Sequence, residues 1–173
     1  MRKNKVSQMT LCAILISMAL VLSYMERFIP LQMFIPLPGI KLGLANIVTL
    51  MALFFLGEKQ AFTILVIRCI LGSVFGGGIS GLAFSMTGGL LAMTVMCIFK
   101  RCRIISIYGV SVLGAAAHNI GQILVAVFLM GSGYVIGYLP YLLIVSVFTG
   151  LATGSICGGV FRILKTNTQM MQN

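Results

Sequence analysis

Aspartate is missing from this chain, its only acids are Glu26 and Glu58, and His118 is its one histidine. Prenyl-diphosphate and phosphoryl chemistry need several carboxylates to hold Mg²⁺, so that whole class is excluded. A Ser-His-Asp set lacks its acid; only Glu26, reaching across helices, could stand beside His118. No G-x-x-x-x-G-K-[ST] loop is present, so the chain does not power itself with ATP. No C-x-x-C pair occurs either. Cys12, Cys69, Cys97, Cys102 and Cys157 fall mainly inside apolar runs, where they read as small hydrophobes and not as a disulfide or metal framework. Gly76–Gly81 matches G-x-G-x-x-G in letters but lacks the strand–turn–helix context that dinucleotide binding requires. The expectation is a protein that is not an enzyme and carries no metal and no cofactor.

Charge is equally scarce, at 8% of residues, against 60% hydrophobic residues and a mean hydropathy of +1.11. Apolar runs of about 15–25 residues recur, near the length that crosses a ~30 Å hydrocarbon core. Alternating barrel-type strands are absent. The expected class is an all-α membrane protein, multi-pass in the plasma membrane. The net charge of +10 does not point to nucleic acid, because the basic residues cluster at segment ends and form no aromatic-interleaved face.

Six spans are expected in one domain over 1–173: Met9–Tyr24, Leu42–Leu56, Ala61–Phe75, Gly81–Phe99, Ile104–Met130 and Tyr138–Leu164. Arg2, Lys3 and Lys5 before a short apolar run imitate a signal peptide, with Ser17-Met18-Ala19 at cleavage spacing. The chain continues as membrane, however, so the run is read as the first span. The N-terminus, Lys59, the basic turn 100–103 and the tail with Arg162 and Lys165 hold nine of the twelve basic residues on one side. That side is read as cytoplasmic, which puts both termini inside. Spans two and three, near 15 residues and about 22 Å, are short and leave a concavity at a membrane face.

The connection between the first two spans, about 25–41, carries Glu26, Arg27, Lys41 and three of the four prolines (Pro30, Pro36, Pro38), and reads as an outer lid. Ionisable groups inside a membrane are costly, and so are functional candidates. Asn46, Arg68, His118, Asn119 and Gln122 fall in the outer half by residue count, with Glu26 and Lys41 at the rim. His118 and Gln122 share a helix face at i,i+4. Two readings stay open: a pocket loaded from outside, or an internal polar network such as Arg68 with Glu26. Arg68, Lys41 and Arg27 would favour an anionic or amphipathic solute. Ladders of small residues mark packing seams: Gly77, Gly81, Ser85 and Gly89; Ser146, Gly150, Gly154 and Gly158; and, in the first span, Ala13/Ser17 and Ala19/Ser23.

L-S-Y-M-E-R-F-I-P (22–30), P-G-I-K-L-G-L-A-N-I-V-T-L (38–50), R-C-I-L-G-S around Arg68 and A-H-N-I-G-Q (117–122) together resemble the Gx transporter family, also described as heptaprenyl diphosphate synthase component I. The resemblance runs over nearly the whole chain. That family is similar to substrate-binding S components of energy-coupling-factor transporters. The resemblance therefore implies a six-helix bundle with both termini inside and a solute pocket near the outer face, partly closed by the loop after the first helix. It also implies a first helix, here with Ala13 and Ser17, that faces a shared transmembrane coupling protein driven by cytoplasmic ATPases. The solute would be a vitamin, flavin, quinone or prenyl-like compound touching Glu26, Lys41, Asn46, Arg68, His118, Asn119 and Gln122. The other reading is a non-catalytic membrane scaffold for heptaprenyl diphosphate or quinone synthesis, or for a redox complex.

Overall fold

A computed structural model describes residues 2–28, 41–102 and 104–170. Its regular elements are all helical. The α-helices are α1 (Arg2–Met25), α2 (Asn46–Phe55), α3 (Glu58–Gly72), α4 (Gly78–Arg101), α5 (Ile107–Met130) and α6 (Leu139–Met170). Short 3₁₀ turns follow α1 at Glu26–Phe28 and precede α6 at Gly133–Tyr138.

Among the described residues, four stretches are long and apolar enough to cross a membrane: Val6–Met25, Glu58–Arg101, Ile107–Met130 and Gly133–Ile163. The second is two helices in series. A π-turn at Ser73–Gly77 joins α3 to α4, and the helical path breaks at Phe75 and at Gly76, whose φ is 107°. The glycine turn expected there is therefore real, but it is a kink between helices and not an open loop. Helix α2, at 10 residues and about 15 Å, is too short to cross alone. It starts at Asn46, not at Leu42 as its hydropathy suggests, because Gly43 takes a left-handed φ of 82° that ends any helix running through it.

The bundle closes through backbone-to-backbone approaches. A Cβ on Gly121 of α5 would lie 2.8 Å from the Gly88 Cα of α4, and one on Gly150 of α6 would lie 2.5 Å from the Val112 Cα of α5. The expected small-residue ladder of α6 is this second seam, with Gly154 and Gly158 packed against Tyr108. The ladder placed on α4 is displaced in part. Gly89 meets Leu65, but Gly81 has nothing within 4 Å, and the close approach to α5 falls on Gly88. The apolar core fills the space between, around Leu50, Leu53, Ile64, Leu65, Met96 and Val110.

The end of the bundle that carries the α2–α3 turn is fastened by charge. Lys100 Nζ donates to the Leu53 carbonyl at 2.7 Å and lies 5.2 Å from the centre of the Phe54 ring. Arg101 donates to both oxygens of Glu58 at 3.2 and 3.1 Å across an exposed pair. An ammonium on an otherwise orphaned C-terminal carbonyl is worth more than an exposed ion pair. Lys100→Ala is therefore expected to cost about 1.5 kcal/mol in detergent-solubilised unfolding, and Arg101→Ala less than about 0.5 kcal/mol.

Candidate functional site

The opposite end, where α1, α3 and α5 finish and α2 and α4 begin, gathers the polar side chains. The chain entering α2 at 41–45 is held there from three directions. Glu26 Oε1, on a residue only 5% exposed, accepts from Leu44 N at 2.5 Å. Lys41 Nζ donates to Ser85 Oγ of α4 at 3.0 Å. The third hold is the Gln122 amide of α5. Its hydrogen-bond network sets its orientation: the amide nitrogen donates to Lys41 O, and the amide oxygen accepts from Lys41 N and from His118 Nε2, all at 3.1 Å. Gln122 thus grips the main chain of residue 41 as a neighbouring strand would.

Beneath this strap lies Arg68, 7% exposed. Its Nη2 donates to Asn46 Oδ1 at 3.0 Å, and its Nε has no hydrogen-bond partner. His118 is slotted between two glycines. A Cβ at Gly43 would stand 3.2 Å from His118 Cδ2, and one at Gly88 would stand 2.8 Å from Nδ1. The glycine at 43 is thus required twice, by its left-handed turn and by the imidazole and Asn46 it faces. His118 Nδ1 and Thr49 Oγ1 are, like Arg68 Nε, buried without a partner. Beside Asn46 a cavity of about 10 Å³ reaches Ser111, Thr149 and Thr153, room for about one water. Ser111 and Thr153 share a 2.5 Å hydroxyl bond across the α5–α6 seam. Burial pushes the Glu26 carboxyl above the ordinary carboxylate range, while the Leu44 N–H and the charges of Lys41 and Arg68 pull it back.

Of the residues expected at the site, Glu26, Lys41, Asn46, Arg68, His118 and Gln122 converge. Asn119 faces elsewhere, its amide donating to the Leu142 carbonyl of α6 at 2.8 Å. The direct Arg68–Glu26 pairing that an internal network would use is not among the ion pairs of the described residues; Arg68 takes Asn46 instead. Pro30, Pro36 and Pro38 of the expected lid, and the Arg27 side chain, lie outside the described residues. Ala13 and Ser17 are exposed, in a groove lined only by α1 residues, and Ser17 Oγ donates back to Ala13 O at 3.0 Å. Sequence reasoning missed Ser85 as the partner of Lys41 and missed both glycines against His118. The sequence signal around Ser85 is the G-x-x-x-small spacing of a packing ladder, which does not announce a bond to Lys41.

The sequence model of the family described as heptaprenyl diphosphate synthase component I matches residues 15–160. The chain belongs to that family. All of the converging polar residues of this heptaprenyl diphosphate synthase component I family member fall inside the matched range. No curated protein and no solved structure matches it. With its apolar helices, it is a membrane protein of this family.

Proposed function

We propose that this family member is a solute-binding membrane subunit of an uptake system, resembling the S components of energy-coupling-factor transporters. The observation that carries the reading is Arg68: a buried guanidinium with an unpartnered Nε, held by Asn46 under a segment strapped to the turn after α1, to α4 and to α5. A permanent cation kept in an apolar bundle is costly unless something pairs with it. In this reading six helices cross the plasma membrane, with α2 and α3 as short elements, both termini cytoplasmic and the strapped end outside. The solute enters at that end. The exposed Ala13/Ser17 groove of α1 faces a transmembrane coupling protein, and cytoplasmic ATPases supply the energy. The chain itself does no chemistry.

Ligand binding to the native state raises its apparent stability. Buried Cys69 and Cys157 let a thiol-reactive dye report unfolding of detergent-purified protein, a useful readout in a chain without tryptophan. Against vitamins, flavins, quinone precursors and prenyl phosphates, one class is expected to raise the unfolding temperature, and Arg68→Ala to abolish the rise. The family description favours a second reading, a membrane scaffold for prenyl diphosphate synthesis. A synthase subunit that co-purifies stably, with no compound shifting the transition, would transfer the conclusion to that reading.

A further inference from the structure

The two ends of the bundle differ in charge, and the excess lies away from the strap. The chain has two acids: Glu26 lies at the strapped end and Glu58 at the far one. Most of the cations gather with Glu58. Helix α3 opens with Lys59 beside it, and α4 closes on Lys100 and Arg101. Phe161 of α6 stacks on Phe55 of α2, which brings Arg162 to the same end. Helices α1 and α3 pack side by side, and a Cβ on Gly72 would lie 3.8 Å from Leu20 Cδ2. Equal counts back along the two helices set the Arg2–Lys5 start of α1 just beyond the level of Glu58. With Glu58 the one acid here, the end is positive however its side chains turn.

We infer that this end binds the anionic head groups of phospholipids, and that Glu58 limits the binding by holding Arg101. What lies next to the cations selects a lipid over an acidic protein. Val6 follows Lys5, Ile98 precedes Lys100, Phe62 stands one turn on from Lys59, and Ile163 follows Arg162; all four apolar side chains are exposed. A band of exposed apolar groups that ends in a rim of cations matches the section of a leaflet, acyl chains below and head groups above. Long basic side chains at such a boundary reach out of the hydrocarbon to the phosphates. Each one near an anionic surface changes occupancy about fivefold. Glu58 works against this. Its two oxygens accept from the Arg101 guanidinium at 3.2 and 3.1 Å. The pair is exposed, and so weak enough for a phosphodiester to displace. In a membrane whose leaflets differ in anionic lipid, this end would sit in the anionic one.

The test gives the full-length, detergent-purified protein phosphatidylglycerol or phosphatidylcholine with the same acyl chains. Retained lipid is counted by native mass spectrometry, and thiol-reactive unfolding reports stability. Phosphatidylglycerol is expected to be retained more and to raise the unfolding temperature more, with an advantage that shrinks as salt screens the charges. Glu58→Gln releases Arg101, so the preference for phosphatidylglycerol should grow about fivefold. Lys59→Gln removes an exposed cation beside it, and should lower the preference by about the same factor. A general loss of fold does not move neighbouring substitutions in opposite directions, and the lipid-free unfolding temperature of each variant reports its folding directly. Equal retention of the two lipids would overturn the inference, as would a preference that Glu58→Gln leaves unchanged or lowers. If soluble polyglutamate stabilises the protein as well as phosphatidylglycerol does, the end belongs to an acidic protein partner and the lipid inference falls.

Discussion

Gly150→Leu is expected to prevent α5 and α6 from closing, giving a protein that unfolds at far lower temperature or fails to accumulate. Even the first carbon of the new side chain would sit 2.5 Å from the Val112 Cα, with Val112 Cγ2 and N both at 3.0 Å. Backbone atoms cannot swing aside as a flexible side-chain tip can, so the two helices must part along the seam. Overpacking a core costs about 1–3 kcal/mol when side chains can adjust. Here the loss should be at least about 3 kcal/mol, since apolar contacts and the Ser111–Thr153 bond on the same seam go with it. Gly159→Ala is the matched control. Its Cβ has nothing within 4 Å, and thermal unfolding should differ from the parent by less than about 1 kcal/mol.

Gln122→Leu should be nearly as damaging, at the other functional extreme of the molecule. Leucine keeps the volume but meets none of the amide's partners. It leaves the Lys41 N–H, the Lys41 carbonyl and His118 Nε2 without their bonds at a fully buried position. Each unsatisfied buried group costs about 1–3 kcal/mol, so a total near 3 kcal/mol or more is expected. The localisation of the damage is the sharper readout. Amide hydrogen exchange should accelerate over Lys41–Leu44, while the α5–α6 seam keeps its protection. Uniform loss of protection throughout the bundle would instead show that Gln122 supports the fold as a whole and does not strap this segment in particular.

These two sites differ in how far a sequence can announce them. The His118–Gln122 contact was legible, because i,i+4 on one helix is a fixed geometry. So was the candidacy of Arg68, since a guanidinium inside an apolar run must find a partner. Which partner was not legible. Whether Arg68 meets Glu26 or Asn46 depends on the rotation of α3 against α2, and α2 starts four residues late because Gly43 breaks it. The same ambiguity of rotation put Asn119, adjacent in sequence to His118, on the α6 face. It also shifted the α4 contact with α5 to Gly88, just outside the four-residue spacing that suggested Gly81, Ser85 and Gly89. Spacing locates a stripe of small residues on a helix. Only the neighbouring helix decides which of them bears the load.

The way Gln122 holds residue 41 separates the hold on the main chain from the identity of the side chain. The amide pairs with the main-chain N–H and carbonyl, which every residue except proline offers in the same form. The side chain at 41 makes its own, independent bond to Ser85. Position 41 can therefore be exchanged for a neutral or acidic residue without undoing the clasp. In consequence the charge displayed at position 41 could drift, or be redesigned, while the fold beneath it goes on closing in the same way.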